Sequence, residues 1–188
     1  MKKILFLFLI LYSTCANAQF KITIDGFVSE VNNTDYYIKE IPGKNAKELY
    51  NLALTYIMEL FQNPNVVTSK IENELISIHA VIPKAVPCKK WMGTHYADVD
   101  MNFIFRFKDG KIRFDSPSIN DMVSHTCRPS GNPNHYVLYG GSGGYVGVSS
   151  LFDKKGNVKN EMAVNGLNEL VNALTKKMIE KCSSNNDW

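Results

Sequence analysis

The strongest constraint in this chain is an alternation. Over residues 98–107, Val99, Met101, Phe103, Phe105 and Phe107 occupy every second position, with Asp98, Asp100, Asn102 and Arg106 among the residues between them. Ile112 and Phe114 resume the pattern after Lys108-Asp109-Gly110-Lys111. A period of two belongs to a strand with one buried face. Asp-Gly between two such runs predicts a two-residue hairpin loop of type I′, which needs positive φ at both central positions. The register follows, with Phe107 opposite Ile112 and Phe105 opposite Phe114, on one face with Phe103 and Met101. A face this apolar needs a cover.

Two segments have the spacing to supply it. From Ala46, apolar residues recur at Leu49, Tyr50, Ala53, Ile57, Leu60 and Phe61, the stripe of an amphipathic helix. Asn45 is placed to cap it, and Glu48 three residues on completes a capping box. Asn63-Pro64-Asn65 is the expected stop, since Pro has no N–H and disfavours helical geometry at the residue before it. Burying five or six large side chains of this stripe contributes on the order of 10 kcal/mol before the cost of ordering them. A second stripe, Val164, Leu167, Leu170, Val171, Leu174 and Met178, predicts a helix over 160–182, with Lys176, Lys177 and Lys181 where cations suit the C-terminal dipole. Gly166 weakens its first turn.

The other alternating runs are strands. Residues 20–28 predict a first strand and 36–41 a short extended piece. Residues 66–71 and 75–82 flank Glu72-Asn73-Glu74 as a second hairpin, closed by 83–87 with its two prolines. Residues 88–97 then read as a loop, 120–134 as an irregular connection, and 136–139 and 145–152 as short strands about a glycine bend at 140–144. The expected class is α+β, in the order β-α-β-β-β-β-α: an antiparallel sheet with two helices packed on one face and an irregular or β-hairpin insertion before the last helix. One domain over 19–182 fits the length, with a core at 20–119, a variable segment at 120–159, the helix at 160–182 and a tail at 183–188.

Residues 1–18 stand apart. Lys2 and Lys3, the apolar run 4–12 and Ala16-Asn17-Ala18 form the charged region, apolar region and cleavage site of a signal peptide. The run is about half as long as a transmembrane helix needs. The expectation is a periplasmic or secreted chain, cut after Ala18, with no transmembrane segment. Lipidation at Cys15 is the less favoured route, because Tyr12 and Thr14 depart from the residues usual before a lipidated cysteine. Loss of Lys2 and Lys3 lowers the formal charge of +3 by two, and the remaining basic residues cluster only as isolated pairs such as Lys89-Lys90 and Lys154-Lys155. That distribution does not attract a polyanion, so nucleic acid is not an expected partner. In an oxidising compartment Cys88 and Cys127, each in a Pro-containing segment flanking the central hairpin, are the expected disulfide, with Cys182 left over. Closing that loop of about 40 residues is worth roughly 4 kcal/mol in the chain-entropy model.

One resemblance adds to this. The block Gly43-Lys44-Asn45-Ala46-Lys47-Glu48-Leu49-Tyr50, then Asn65-Val66-Val67, the strand 75–82 and the 103–114 hairpin with its Lys-Asp-Gly-Lys turn are similar to a family of exported bacterial proteins. These carry a domain of unknown function with a TATA-binding-protein-like (TBP-like) fold. The similarity covers residues 41–119. It implies the fold, and it carries no catalytic residue onto this chain. The segment 120–152, with its Cys and His, departs from the family pattern.

The residues capable of chemistry lie between the core elements. Cys88, His95, His125, Cys127 and His135 are zinc-ligand types, but only His125 and Cys127 are close in sequence, and neither a metal nor another cofactor is expected. A Cys127 thiolate aided by His125 or His135, with Asp121 orienting, would make a nucleophile, which oxidation outside the cytoplasm removes. The glycine-dense 140–147 lacks the Lys and the following helix of a phosphate loop. His79 alternates with the Ile76 and Ile78 face and is expected in solvent. Trp91, Tyr96, His125, His135, Tyr139 and Tyr145 remain as a candidate surface for a ligand or partner, where aromatic side chains with polar tips are common. The expected function is an exported non-catalytic binding protein of the cell envelope, its partner a protein or small ligand. The alternative is a small exported hydrolase or metal-dependent enzyme centred on His125, Cys127 and His135.

Overall fold

A computed structural model describes residues 19–61, 68–90, 93–125, 133–141 and 147–184. The alternating stretch is β6 (Gly93–Lys108), paired with β7 (Lys111–Asp115) so that Phe107 faces Ile112 and Phe105 faces Phe114, the register the alternation requires. Met101, Phe103, Phe105, Phe107, Ile112 and Phe114 are all buried. The turn, however, is not type I′, because of its two central residues only Gly110 has positive φ, at 72°. Its docking partner explains the difference. The Asp109 carboxylate accepts from the Ala46 N–H at 2.8 Å, the Gly110 N–H donates to the Lys44 carbonyl at 2.8 Å, and the Ile41 N–H donates to the Gly110 carbonyl at 2.7 Å. The turn is shaped by the start of the first helix as well as by its own strands.

That helix, α1 (Ala46–Leu60), opens with the expected capping box: the Glu48 N–H donates to Asn45 Oδ1 at 2.9 Å and the Asn45 N–H to Glu48 Oε2 at 2.7 Å. It ends at Leu60, short of Asn63-Pro64-Asn65, which lies outside the described residues. Leu49, Tyr50, Ala53, Tyr56 and Ile57 are buried, and the Tyr50 ring meets Phe107 edge-on at 5.6 Å. The second helix, α2 (Glu161–Ser183), is capped by Asn160 and buries Val164, Leu167, Val171, Met178 and Cys182. Lys181 of α2 pairs with Glu59 of α1 at 2.7 Å. Both helices cover the aromatic face, as the patterns required.

The sheet is wider than the sequence suggests. Its path is β10–β9–β8–β6–β5–β4, with β7 and then β3 (Tyr36–Glu40) branching from the far half of β6. β4 (Thr68–Ile71) and β5 (Leu75–Lys90) form the expected second hairpin. Residues 83–87 do not close it. A bulge between Ile82 and Val86, with Lys84 at φ 50°, carries β5 on to Lys90, and 93–97, expected in a loop, are the start of β6. Proline is tolerated there because, among the described residues, β4 pairs only with Leu75–Ile78 and no other strand lies on that side of β5 beyond Ile78, so fewer donors are needed.

Three further expectations are corrected. Residues 120–124, read as the start of an irregular connection, belong to β8 (Ser118–Ser124), beside the first half of β6. β9 (Asn134–Val137) and β10 (Val148–Ser150), expected as the outgoing and returning strands of a hairpin, run parallel. Residues 20–28 split at Ile24-Asp25 into β1 (Phe20–Thr23) and β2 (Gly26–Ser29), a separate two-stranded ribbon. The ribbon is clamped to α2, where Asn172 Oδ1 accepts from the Gln19 and Phe20 N–H groups at 2.8 and 2.9 Å, and Asn168 Oδ1 accepts from the Ile22 N–H at 2.7 Å. The architecture of the described residues is therefore α+β with a curled, mostly antiparallel sheet and two helices, but among them three strands precede α1 and seven separate it from α2.

Two predictions follow from the packing of α2. Gly166 is a site of close approach: a Cβ there would lie 2.7 Å from Pro87 Cδ and 3.3 Å from Val86 Cγ1. Gly166→Ala should therefore lower the urea midpoint, with overpacking of about 1–3 kcal/mol outweighing a helix-propensity gain of about 1 kcal/mol. A raised midpoint would mean that α2 and β5 are not in tight contact. The Cys182 thiol, which donates to the Leu49 carbonyl at 3.8 Å, is pushed up to about 12 by burial, with Lys44 opposing the shift. An unfolded thiol ionises near 9.0. Above that pH the unfolded state holds fewer protons than the folded one, so this group's share of stability falls by about 1.4 kcal/mol per pH unit until the folded thiol ionises. Urea midpoints measured between pH 8 and 11 should decline less steeply in Cys182→Ala than in the native chain.

Candidate functional site

β6 has two faces, and the polar one is the candidate site. While Ala97, Val99 and Met101 point under the helices, Tyr96, Asp98, Asp100 and Asn102 point away from them. On the flanking strands the same face carries His79 from β5 and Asp121 from β8, with His125 just beyond β8 and His135 on β9. The period of two that builds the core therefore also builds this surface.

The side chains are linked into a network. Asp100 Oδ1 lies 2.7 Å from His79 Nε2 and accepts from Asn120 Nδ2 at 2.8 Å. Asn102 Nδ2 donates to Asn120 Oδ1 at 3.0 Å and to Ser118 Oγ at 3.3 Å. Asn120 reaches both neighbours because it occupies a bulge, lying between Ile119, opposite Met101, and Asp121, opposite Asp100. Asp98 spends one oxygen on the fold, accepting from the bulged Lys84 N–H at 2.7 Å, and its other oxygen lies 3.8 Å from His125 Nε2. Asp121 Oδ1 lies 3.0 Å from His135 Nδ1. Three imidazoles thus stand against three carboxylates, and the rings of His79 and His125 are more than half exposed, at 60% and 66%. Exposed pairs of this kind contribute about 0–1 kcal/mol each, so their arrangement adds little to stability.

Towards the other end of the same face the character changes. Asp115 is held between Arg106 at 2.8 Å and Arg113 at 2.5 Å, and the Arg113 guanidinium sits 4.2 Å from the centroid of the Tyr36 ring.

Of the residues expected to form a partner surface, Tyr96, His125 and His135 share this face, and Tyr139 stands exposed just past the end of β9. Trp91 and Tyr145 lie outside the described residues. His79, expected in solvent without a role, is in solvent but tied to Asp100. Asp98, Asp100 and Asn102 were missed, although the signal was present: they are the polar half of the alternation that gave the core. Asn120, on β8, carried no such signal. The zinc-type residues are divided by the sheet. Cys88 is buried opposite His95 on the inner side, whereas His125 and His135 belong to the outer side. Cys127, and with it the Cys88–Cys127 bond, lies outside the described residues. Among the described residues no group of three or more His, Cys, Asp and Glu is close enough to hold a metal ion. The expected orienting role of Asp121 has a geometric basis: it engages His135 through Nδ1, leaving Nε2 for another group. Among the same residues no helix is long and apolar enough to cross a membrane.

No family model matches the chain, and no curated protein matches it in sequence. Solved structures do. A TBP-like protein from Parabacteroides distasonis aligns over 79% of this chain and 91% of its own, at 9% identity and a TM-score of 0.54. A DUF4468 family protein from Bacteroides ovatus aligns over 81% of this chain and 87% of its own, also at 9% identity, with a TM-score of 0.43. At such identity the first likeness concerns the fold alone, and it agrees with the resemblance read from the sequence: this chain has the fold of a TBP-like bacterial protein.

Proposed function

We propose that the chain is an exported, non-catalytic binding protein of the cell envelope and that the polar face of its sheet, from Tyr96 through Asp98, Asp100 and His79 to His125 and His135, meets its partner. The observation that carries this is the hydrogen-bonded row on the outer sheet face, His79–Asp100–Asn120–Asn102, flanked by exposed Tyr96. Helices cover the other face, whereas on this one the His79 and His125 rings are exposed as well. Fixed donors and acceptors beside aromatic rings suit recognition of another polar surface, because little side-chain freedom is left to lose on contact. Three carboxylates on the face disfavour a polyanion, which supports a protein or small polar ligand over nucleic acid.

Export rests on the leader-like residues 1–18 and on the way the fold begins. Gln19, the first residue after a cut at Ala18, is already held by Asn172 and by the Glu30 N–H, which donates to its carbonyl at 3.1 Å. A disulfide between Cys88 and Cys127 belongs to the same proposal. The second reading, an exported hydrolase using His125, Cys127 and His135, is favoured by one observation, the Asp121–His135 contact through Nδ1.

Three measurements separate these readings. Intact mass of the protein recovered from the envelope or medium should begin at Gln19, and a non-reducing peptide map should join Cys88 to Cys127; a chain retaining residues 1–18, or a reactive Cys127 thiol, counts against the proposal. A photo-crosslinking amino acid at Tyr96 or His79 should give a discrete adduct in cells, whereas the same group at Glu169 on α2 should not. Adducts from the helix side alone would move the interface to the opposite face.

A further inference from the structure

The outer face of the sheet carries opposite charge at its two ends. At one end stand Asp98, Asp100 and Asp121, whose ion pairs among the described residues are with histidines alone. At the other, Arg106 and Lys108 of β6 with Lys111 and Arg113 of β7 outnumber Asp115 and Glu40. Neither end is used up within the chain. Arg106 and Arg113 both reach Asp115 through Nε, and among the described residues their terminal Nη groups have no partner. Asp100 and Asp121 both spend Oδ1, and among the same residues their Oδ2 atoms have none.

We propose that this face packs against the same face of a second copy of the chain, the two β6 strands antiparallel about a two-fold axis at the level of Phe103. The inference rests on the reading of this face as the contact surface and names its occupant. The register dictates the pairing. An axis lying between the faces and across β6 joins positions equally far to either side of Phe103, so Asp100 meets Arg106 and Asp98 meets Lys108. The flanking strands follow, because β7 and β8 lie along the same edge of β6: Arg113, opposite Arg106, meets Asp121, opposite Asp100. On the other edge Val81, 62% exposed and opposite Asp100, meets Leu75, opposite Arg106. Symmetry makes every contact twice. An axis along β6 would instead set Asp100 near Asp100 and Arg106 near Arg106, so charge selects the antiparallel arrangement. The area also suffices. At the level of Arg106 the face is five strands wide, from Ile38 through Arg113, Arg106 and Leu75 to Ile71. At ~4.8 Å between strands and ~3.4 Å per residue from Asp98 to Lys108, it spans about 20 by 34 Å, or about 700 Å² a copy. The two copies together exceed the roughly 1,000 Å² that a specific interface needs.

Sedimentation velocity of the purified protein from about 1 μM to about 1 mM tests this, and a concentration-dependent dimer is expected. A monomer throughout overturns the proposal. Arg106→Glu and Asp100→Arg, each alone, set like charges together twice and should raise the dimer Kd at least about tenfold. An equimolar mixture of the two variants keeps one native pair and forms one reversed pair, so it should dimerise within about fivefold of the native chain. Loss in each variant without recovery on mixing overturns the pairing between copies, and a dimer that neither substitution weakens places the contact on another face. Near-ultraviolet circular dichroism establishes that each variant is folded. Should either not fold, a photo-crosslinking amino acid at Ile104 decides: an adduct of twice the chain mass, mapped to the neighbourhood of Asn102 in the other copy, is expected, and its absence overturns the arrangement. The cross-links at Tyr96 and His79 separate this inference from the reading beneath it. A different protein captured there, with a monomer in solution, removes the second copy and keeps the face as the contact surface. No adduct at either position, with a monomer in solution, removes both.

Discussion

The inward row of β6 is the constraint on which the rest depends. It runs Ala97, Val99, Met101, Phe103, Phe105, Phe107, so side-chain size rises along the strand from its beginning to its end. At the small end the backbone of α2 comes close to β5, with Gly166 against Pro87 and Val86, and Val86 lies opposite Ala97. At the large end the Phe rings need a different cover, which α1 supplies through Tyr50 on Phe107. A run of tilted and edge-on contacts, Phe105 to Phe114 at 5.5 Å, Phe114 to Tyr37 at 6.1 Å and Tyr37 to Phe20 at 6.4 Å, extends the core as far as the β1–β2 ribbon. Two helices, one close-packed over small residues and one seated on large ones, leave among the described residues a recess of about 180 Å³ between them, lined by Phe103 and Phe105 and by Tyr56 of α1 and Leu174 of α2.

The same strand determines the outer face, because every residue that is not in the row points the other way. A slip of one position in the pairing of β6 would bring Asp98, Asp100 and Asn102 inside and put the Phe residues in water, so register is strongly specified. The bulges adjust what register alone cannot. The one at Lys84 turns β5 so that it continues past its prolines, and Asp98 accepts from the Lys84 N–H across the strand pair. The one at Asn120 frees a carboxamide from the ladder to bridge Asp100 and Asn102. Both bulges sit beside the polar network, where they aim side chains at the expense of regular pairing.

How much of this was legible in the sequence depended on how local the cause was. The Phe register and the Asn45–Glu48 box were readable because each is decided within a few residues. The type of the Asp109-Gly110 turn was not, since Asp109 answers to Ala46, far away in the chain. Pro83 and Pro87 read as strand breakers because the sequence does not state that, among the described residues, β4 pairs with β5 only as far as Ile78. The parallel pairing of β9 with β10 has no local signature, and a glycine-rich stretch between two short strands naturally suggests a hairpin. Asn168 and Asn172 looked like ordinary polar helix positions, yet their carboxamides take the place of a neighbouring strand for β1. At the candidate site the histidines were noticed as rare residue types, whereas Asp98 and Asp100 read only as the outer half of a strand, and Asn120 had no signal until strand pairing placed it beside them.

The recess between the helices has an energetic cost. Sealed within a core, an empty apolar volume of about 180 Å³ would cost on the order of 4 kcal/mol at about 24 cal/mol per Å³. This one is lined in part by Leu60, which is 41% exposed, so solvent contact makes the real cost smaller. The unpaired Tyr56 hydroxyl adds a further ~1–3 kcal/mol. Against a net stability of about 5–15 kcal/mol for a domain, these are large terms. Phenylalanine at position 56 would remove the second at once, with the same ring and no polar atom to satisfy. Tyrosine at this position therefore lowers the stability of the core by about that much relative to phenylalanine.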